Sequence, residues 1–472
     1  MSIINKLVLI LVLAPSAWGK DKPFAPVEQA VAQRTRQEVR WEKDLAAREE
    51  SRARARVLSR KPLTISSAVQ IALLNNRGLQ ASFEEIGLSF ADLREARMLA
   101  NPEADLQVKF PDRPPTAPLY EWGIAQNFLN LLMLPLRTRV ARDQLGAAQM
   151  RAADEVVQLI SEVKVAYYEL LADQQLIARL RTIREAQGTS LELMQRLHEA
   201  GNVTDLALWQ EQAQYSRVRL EVATAEAESR AHREKLNRLL GVWGGETDWR
   251  LAATELPALP ASDVSVKGLE TLAIGNRLDL AGARAGLESA ARAIGLEKTF
   301  RFIGALDFGI ASEHEPDGVN LTGPSIRLEL PIFNQGQARI ARGEAQLRMA
   351  AAKFEALAVE TRSMVRELRD RLTSKRDIAR FYRDELLPNR SAITAQTLIQ
   401  YNAMLVGAFE AFQARREALE AERAAIEATR DYWTTRAELE RAVGGDLDAK
   451  PRPPVLTTTE SKTTKPLKSR KP

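Results

Sequence analysis

Arg139-Val140-Ala141-Arg142 opens one long helical stretch, and Arg339-Ile340-Ala341-Arg342 opens another 200 residues later. The same offset relates Asn76-Arg77 to Asn276-Arg277, and Leu106 to Leu306. Further along it grows to 203: Ala200 matches Ala403, Leu236 matches Leu439, Arg238 matches Arg441 and Gly241 matches Gly444. An offset held over this length marks a duplicated unit, and the duplication decides the fold before any single motif does. Each copy reads helix, two strands, very long helix, turn, long helix. The first repeat is read over residues 62–242 and the second over 263–445, with a linker at 243–262 between them.

The strands come from strict alternation. In the first copy (about 103–111 and 119–128), Leu106 and Val108 fall on one side and Asp105 and Lys109 on the other. Trp122 and Ile124 continue the apolar side, with Gln126 its one lapse. In the second copy (about 302–312 and 322–333), Phe302, Leu306, Phe308, Leu328 and Leu330 are apolar-side, while Asp307, Arg327 and Glu329 face away. A period of two means a strand with one apolar face. Pro114-Pro115 and Pro316-Asp317-Gly318 supply the turns. Each hairpin feeds a long helical run, 136–199 and 337–401; the second carries Pro388, which predicts a kink or interruption. Short turns at Gly201-Asn202-Val203-Thr204-Asp205 and around Val406-Gly407 return the chain as helices over 206–240 and 409–443.

Composition narrows the function. The chain has 472 residues, 45% hydrophobic, 27% charged, with a net charge of +5. Basic and acidic residues are interleaved along the helices, which reads as solvated helix faces and excludes a nucleic-acid partner. There is no cysteine, so no disulfide forms and no lipid can be carried on one. His198, His232 and His314 are scattered, without ligand spacing, so neither a metal site nor a cofactor is expected. No phosphate-loop, nucleophile-elbow or zinc-helix motif occurs, and an enzyme is not expected. Lys6, the apolar run Leu7–Leu13 and Ala17-Trp18-Gly19 read as a secretory signal peptide over residues 1–19. The run is too short to span a bilayer. Residues 20–61 are charged and are expected to be partly helical and weakly ordered; the Pro-, Lys- and Thr-rich tail 446–472 is expected to be disordered.

Four amphipathic strands cannot close a membrane barrel, since such barrels start at eight strands. An open edge inside lipid leaves backbone groups unsatisfied. If these are membrane strands, several chains must share one barrel: two would give eight strands and three would give twelve.

Several segments carry a resemblance: Ala166-Tyr167-Tyr168-Glu169-Leu170-Leu171-Ala172, Ala200-Gly201-Asn202-Val203-Thr204-Asp205-Leu206, Leu330-Pro331-Ile332-Phe333-Asn334-Gln335-Gly336, and the helix ends Leu239-Leu240-Gly241 and Ala442-Val443-Gly444. In their order, spacing and duplication the chain resembles the outer-membrane factor family of TolC-like efflux proteins over roughly residues 64–444. The resemblance implies a mainly α fold with a membrane β-barrel. Three chains would build twelve strands, continuing into a periplasmic α-helical tunnel. It implies an exit duct in the outer membrane, a homotrimer working with a periplasmic adaptor and an inner-membrane transporter. It places Leu106, Val108, Trp122, Ile124, Leu306, Phe308, Leu328 and Leu330 against outer-membrane lipid, and Asp105, Lys109, Asp307, Arg327 and Glu329 in the lumen. The two turns, Gly201, Asn202, Val203, Thr204 and Asp205 with Val406 and Gly407, become the periplasmic tip that docks the adaptor.

The second turn departs from the family pattern. The usual glycine three residues after Tyr401 is Met404, and Ser391–Gln400 holds no acidic residue that could form a constricting ring. The segment 331–343 resembles members serving heavy-metal resistance pumps, with drug or other cargo as the other reading. A soluble periplasmic coiled-coil adaptor or chaperone is the rival class; it accounts for the helices but not for two amphipathic hairpins at equivalent places.

Overall fold

The structure is a computed structural model that describes residues 22–447, apart from 111, 115–116, 261–267, 301–304 and 316. The signal-peptide reading, most of the tail and Phe302 lie outside the described residues.

Two helices precede the first repeat, α1 (Ala25–Thr35) and α2 (Leu45–Ser59). The repeat itself runs α3 (Ile65–Asn75), α4 (Arg77–Ala96), β1 (Glu103–Lys109), β2 (Leu119–Asn127), α5 (Phe128–Glu199) and α6 (Asp205–Leu240). The second runs α7 (Leu269–Asn276), α8 (Leu278–Phe300), β3 (Leu306–His314), β4 (Asn320–Leu328), α9 (Gln337–Phe381), a π-helical turn (Tyr382–Leu386), α10 (Leu387–Asn402) and α11 (Ala408–Val443).

The helix ends explain why Asn76-Arg77 and Asn276-Arg277 recur. Asn76 caps α4, accepting from the Leu79 N–H at 3.0 Å, and its amide donates to the Leu239 carbonyl at 3.1 Å. Helix α6 therefore stops against the α3–α4 junction. Gly241, with φ +66°, makes this approach possible: a Cβ there would lie 2.6 Å from the Asn75 carbonyl oxygen. Gly444, with φ +78°, backs onto Asn276-Arg277 in the same way at the end of α11. Leu236 and Leu240 are buried in one repeat, Leu439 and Val443 at the matching places in the other.

Residues 22–61, the described part of the charged N-terminal segment, correct the expectation of weak order. Phe24, Val27 and Val31 recur at helical spacing and are buried in the core of the first repeat. The Phe24 ring sits edge-on to Phe83 at 4.8 Å. Gln149 donates to the Pro23 carbonyl at 2.7 Å, and Arg34 donates to the Asn276 carbonyl at 2.9 Å, so the segment grips both repeats. The charge count concealed three well-spaced apolar residues.

The long helices are also unequal. α5 starts at Phe128, directly after β2, with Asn127 as its cap accepting from Asn130 N–H at 3.0 Å. It therefore encloses Pro135 and runs 72 residues, about 108 Å. Its counterpart is interrupted where Pro388 predicts. Proline lacks an N–H and crowds the carbonyl four residues back, that of Asp384, and the turn Tyr382–Leu386 is widened to π geometry there.

Candidate functional site

The four strands form one antiparallel sheet in the order β1-β2-β3-β4. Its register settles which side chains share a face, because directly opposed residues point the same way. Leu106 opposes Trp122, Trp122 opposes Ser312, and Ser312 opposes Thr322. Ile124 opposes Ile310, Phe308 opposes Ile326, and Leu306 opposes Leu328. Leu106, Val108, Trp122, Ile124, Leu306, Phe308 and Leu328 therefore stand on one face. All but the half-buried Leu306 are exposed. Among the described residues no helix covers that face. Edge-on packing of Phe128 against Phe308, with centroids 5.6 Å apart, marks its lower border.

The other face holds Asp105, Lys109, Asp307 and Arg327. Asp105 opposes Gly123, Lys109 is ion-paired with Glu121, and Asp307 opposes Arg327 while accepting from the Asn127 amide at 2.8 Å. Across its middle this face is lined by Gly123, Ala125, Gly309, Ala311, Gly323 and Ser325, and the Asp105 carboxylate lies over Gly123, where a Cβ would come within 2.6 Å of it. Leu330 and Glu329 differ from expectation: β4 ends at Leu328, short of the expected 333. Pro331 cannot donate to a ladder, so pairing stops with the Glu329 N–H to the Ala305 carbonyl at 2.9 Å.

Among the described residues β1 and β4 each pair on one side only, so the sheet carries two open edges. No described helix is long and apolar enough to cross a membrane.

At the far end of the helices the two turns share a backbone but not a chemistry. In the first, the Asn202 N–H donates to the Leu197 carbonyl at 2.8 Å and Gly201 takes φ +75°, ending α5. The Thr204 hydroxyl accepts from Ala207 N–H at 3.3 Å, capping α6, and Asp205 sits in its first turn. His198 lies 3.3 Å from Asp205, and its other ring nitrogen is 3.2 Å from the Val203 carbonyl. In the second turn the Leu405 N–H donates to the Gln400 carbonyl at 2.9 Å, and Met404 takes the left-handed place with φ +60°. Gly407 occupies the cap position without a side chain to cap with. Asn202 is exposed; Val406 is half-buried rather than exposed, while Met404 is 94% exposed.

Between sheet and turns, ion pairs tie the repeats together. Arg441 reaches Asp154 at 2.7 Å, and Lys164 reaches Glu440 at 2.6 Å. Burial pushes Asp154 up, against the attraction of Arg441. Burial likewise raises Asp173, opposed by its hydrogen bond from His232 at 2.6 Å. Among the described residues no cluster of three or more His, Cys, Asp or Glu side chains is placed to hold a metal ion. Sequence reasoning missed the exposed apolar start of α5; the signal was Asn127 as a cap followed by Phe128-Leu129-Asn130-Leu131-Leu132.

Comparison with known proteins fits this geometry. Residues 119–242 match the family described as outer membrane efflux protein. The cobalt-zinc-cadmium resistance protein CzcC of Cupriavidus metallidurans is 22% identical over 360 residues, covering 75% of this chain and 79% of its own. The CmeC outer membrane channel of Campylobacter jejuni superposes with a TM-score of 0.70 at 14% identity, covering 82% of this chain and 87% of CmeC. The outer membrane protein VceC of Vibrio cholerae gives a TM-score of 0.67 at 16% identity, over 81% and 97%. A duplicated helix–hairpin–helix chain, one four-stranded sheet with a bare apolar face, and these likenesses converge: the chain has the fold of outer membrane channels and resembles the outer membrane efflux protein family, whose pattern it matches over residues 119–242.

Proposed function

We propose that this chain is the outer-membrane exit duct of a tripartite efflux system. Three copies close a twelve-stranded barrel that continues into a periplasmic helical tunnel. The observation that carries the reading is the sheet: one exposed apolar face, one polar face lined by small residues, and two open edges. Lipid requires such edges to be paired, and further copies of the same sheet pair them. Conduction is passive. The energy comes from an inner-membrane transporter joined through a periplasmic adaptor, which meets the two turns because they lie farthest from the sheet. Heavy-metal ions are the proposed cargo, supported by the likeness to CzcC and by the segment 331–343.

Mass measurement of detergent-extracted protein should give a trimer, and fractionation should place it in the outer membrane. A monomer with intact β-structure, or a soluble periplasmic pool, overturns the duct and favours a coiled-coil adaptor or chaperone. Deletion should sensitise cells to cobalt, zinc or cadmium; sensitivity to drugs alone would replace the cargo and keep the duct.

A further inference from the structure

The exposed apolar surface does not stop at the end of the sheet. It continues onto the first turns of α5, where Phe128, Leu131 and Leu132 are exposed, and onto the connection after β4, where Leu330, Ile332 and Phe333 are exposed, Phe333 at 92%. Arginine then replaces leucine on the same surface. Leu131, Pro135, Arg139 and Arg142 follow one another at spacings of four, four and three, which keeps them on one side of the helix, and all are exposed. In the second repeat Phe333 is followed by exposed Arg339 and Arg342 as α9 opens.

The depths fit a bilayer boundary. Seven residues of β1 at about 3.3 Å each, tilted by about 40°, cover about 18 Å, and nine residues of β2 cover about 23 Å. A barrel's apolar band is about 25 Å tall, so the sheet alone falls short on β1. Arg139 lies about 10 Å along the helix beyond Leu132. Headgroups occupy about 5–8 Å beyond the hydrocarbon on each side.

The charges are available. Arg339 reaches Glu297 at 3.0 Å, but among the described residues the guanidinium groups of Arg139, Arg142 and Arg342 have no hydrogen-bond or ion-pair partner. Nearby carboxylates are already engaged, Asp143 by Arg292 and Glu344 by Lys298 at 2.7 Å.

We propose that the repeated Arg-x-x-Arg motifs bind the phosphate groups of anionic phospholipids in the periplasmic leaflet, beneath an apolar collar at 128–136 and 330–333 that sits among that leaflet's acyl chains. A guanidinium presents two parallel N–H donors to a phosphate, and the duplication repeats the motif twice per chain. The inference rests on the outer-membrane reading above.

The chain has no cysteine, so single Leu132→Cys, Ile124→Cys and Asn202→Cys substitutions take spin labels cleanly. In nanodiscs of phosphatidylethanolamine with phosphatidylglycerol, the label at 132 should be relaxed by oxygen and shielded from a water-soluble nickel chelate. It should behave like the label at 124 on the sheet and unlike the label at 202. Replacing Arg139, Arg142, Arg339 and Arg342 by Gln should weaken phosphatidylglycerol binding by about fivefold per arginine. Inorganic phosphate should not compete. The pair Arg139→Gln/Arg142→Gln serves if the fourfold variant does not assemble, and Lys at these positions, which keeps the charge but not the two parallel donors, should restore the binding only in part. A water-accessible label at 132, spin coupling between copies there, phosphate competition, or unchanged lipid affinity overturns the proposal. Lipid exposure at 124 without it at 132 defeats this inference alone; its absence at both defeats the outer-membrane reading as well.

Discussion

Met404 holds, in the second turn, the left-handed conformation that Gly201 holds in the first, 203 residues earlier. A side chain in that conformation costs about 1–2 kcal/mol, while replacing a residue by glycine returns about 0.4–1 kcal/mol to the unfolded chain. Met404→Gly should therefore stabilise the protein slightly, by less than about 1 kcal/mol, and Gly201→Met should destabilise it. Thermal unfolding of the detergent-extracted protein tests both signs. Loss of stability in Met404→Gly would mean that the exposed thioether packs against something in the assembly.

The tip assignment makes a separate demand. A bulky charged residue at Asn202 or Val406 should leave trimers in the membrane while abolishing adaptor cross-linking and export. Val406 is half-buried, so Asn202 is the cleaner site. Loss of trimers, or normal export, would show that the turns serve only their own helices.

For the sheet, Leu328→Arg places a charge on the bare apolar face and should cost about 2–4 kcal/mol at mid-membrane depth. Arg327→Ala, one residue away and on the opposite face, should assemble normally. Equal trimer yields from the two variants would contradict the assigned faces.

A steric test is independent of lipid. A Cβ on Gly309 would lie 2.4 Å from the Ile124 carbonyl oxygen, whereas one on Gly323 would meet nothing within 4 Å. Gly309→Ala should disturb the β2–β3 pairing that joins the two hairpins and lower trimer yield. Gly323→Ala should not. Trypsin resistance of the barrel in membranes distinguishes them.

Much of this architecture was legible from period and offset. The alternation at Leu106, Trp122, Phe308 and Leu328 is local, so it marks faces without knowledge of partners, and the register then aligned those faces. What escaped depended on contacts distant in sequence. Phe24, Val27 and Val31 look sparse among charges until Phe83 and the α5 helix supply a cavity for them. The start of α5 was hidden because Pro135 reads as a stop; it is the eighth residue of the helix, where it removes the bond to the Leu131 carbonyl, and the helix continues through it. The roles of Asn202 and Val406 are a different matter, since a turn needs the same residues whether or not it docks anything.

Acid should loosen the junction between the repeats. Arg277 reaches Asp279 at 2.5 Å, and both are largely removed from water. Burial alone would raise Asp279; the Arg277 hydrogen bonds and charge, with the Leu280 N–H, outweigh it and hold the carboxyl below the usual range. A depressed folded pKa gives stability that is complete above the unfolded value, about 3.9, and is lost as pH falls through the folded one. Asp154 runs the opposite way: raised by burial, its protonation favours the folded state. Asp279→Asn should lower stability at neutral pH by about 3 kcal/mol, because it strands the buried Arg277, and should flatten the acid limb of the stability profile. An unchanged acid limb would remove Asp279 from the account.

The sheet's two unpaired edges set the order of events in biogenesis. No single chain can satisfy its own backbone in lipid, so encounter between copies must come before or together with insertion. The yield of barrels then depends steeply on how much newly exported chain is present at once, and a lone protomer waits with sticky strand edges exposed to other proteins. Dilution should be as effective as a denaturant in preventing assembly, while the finished ring, with no edge left, should hardly respond to dilution at all.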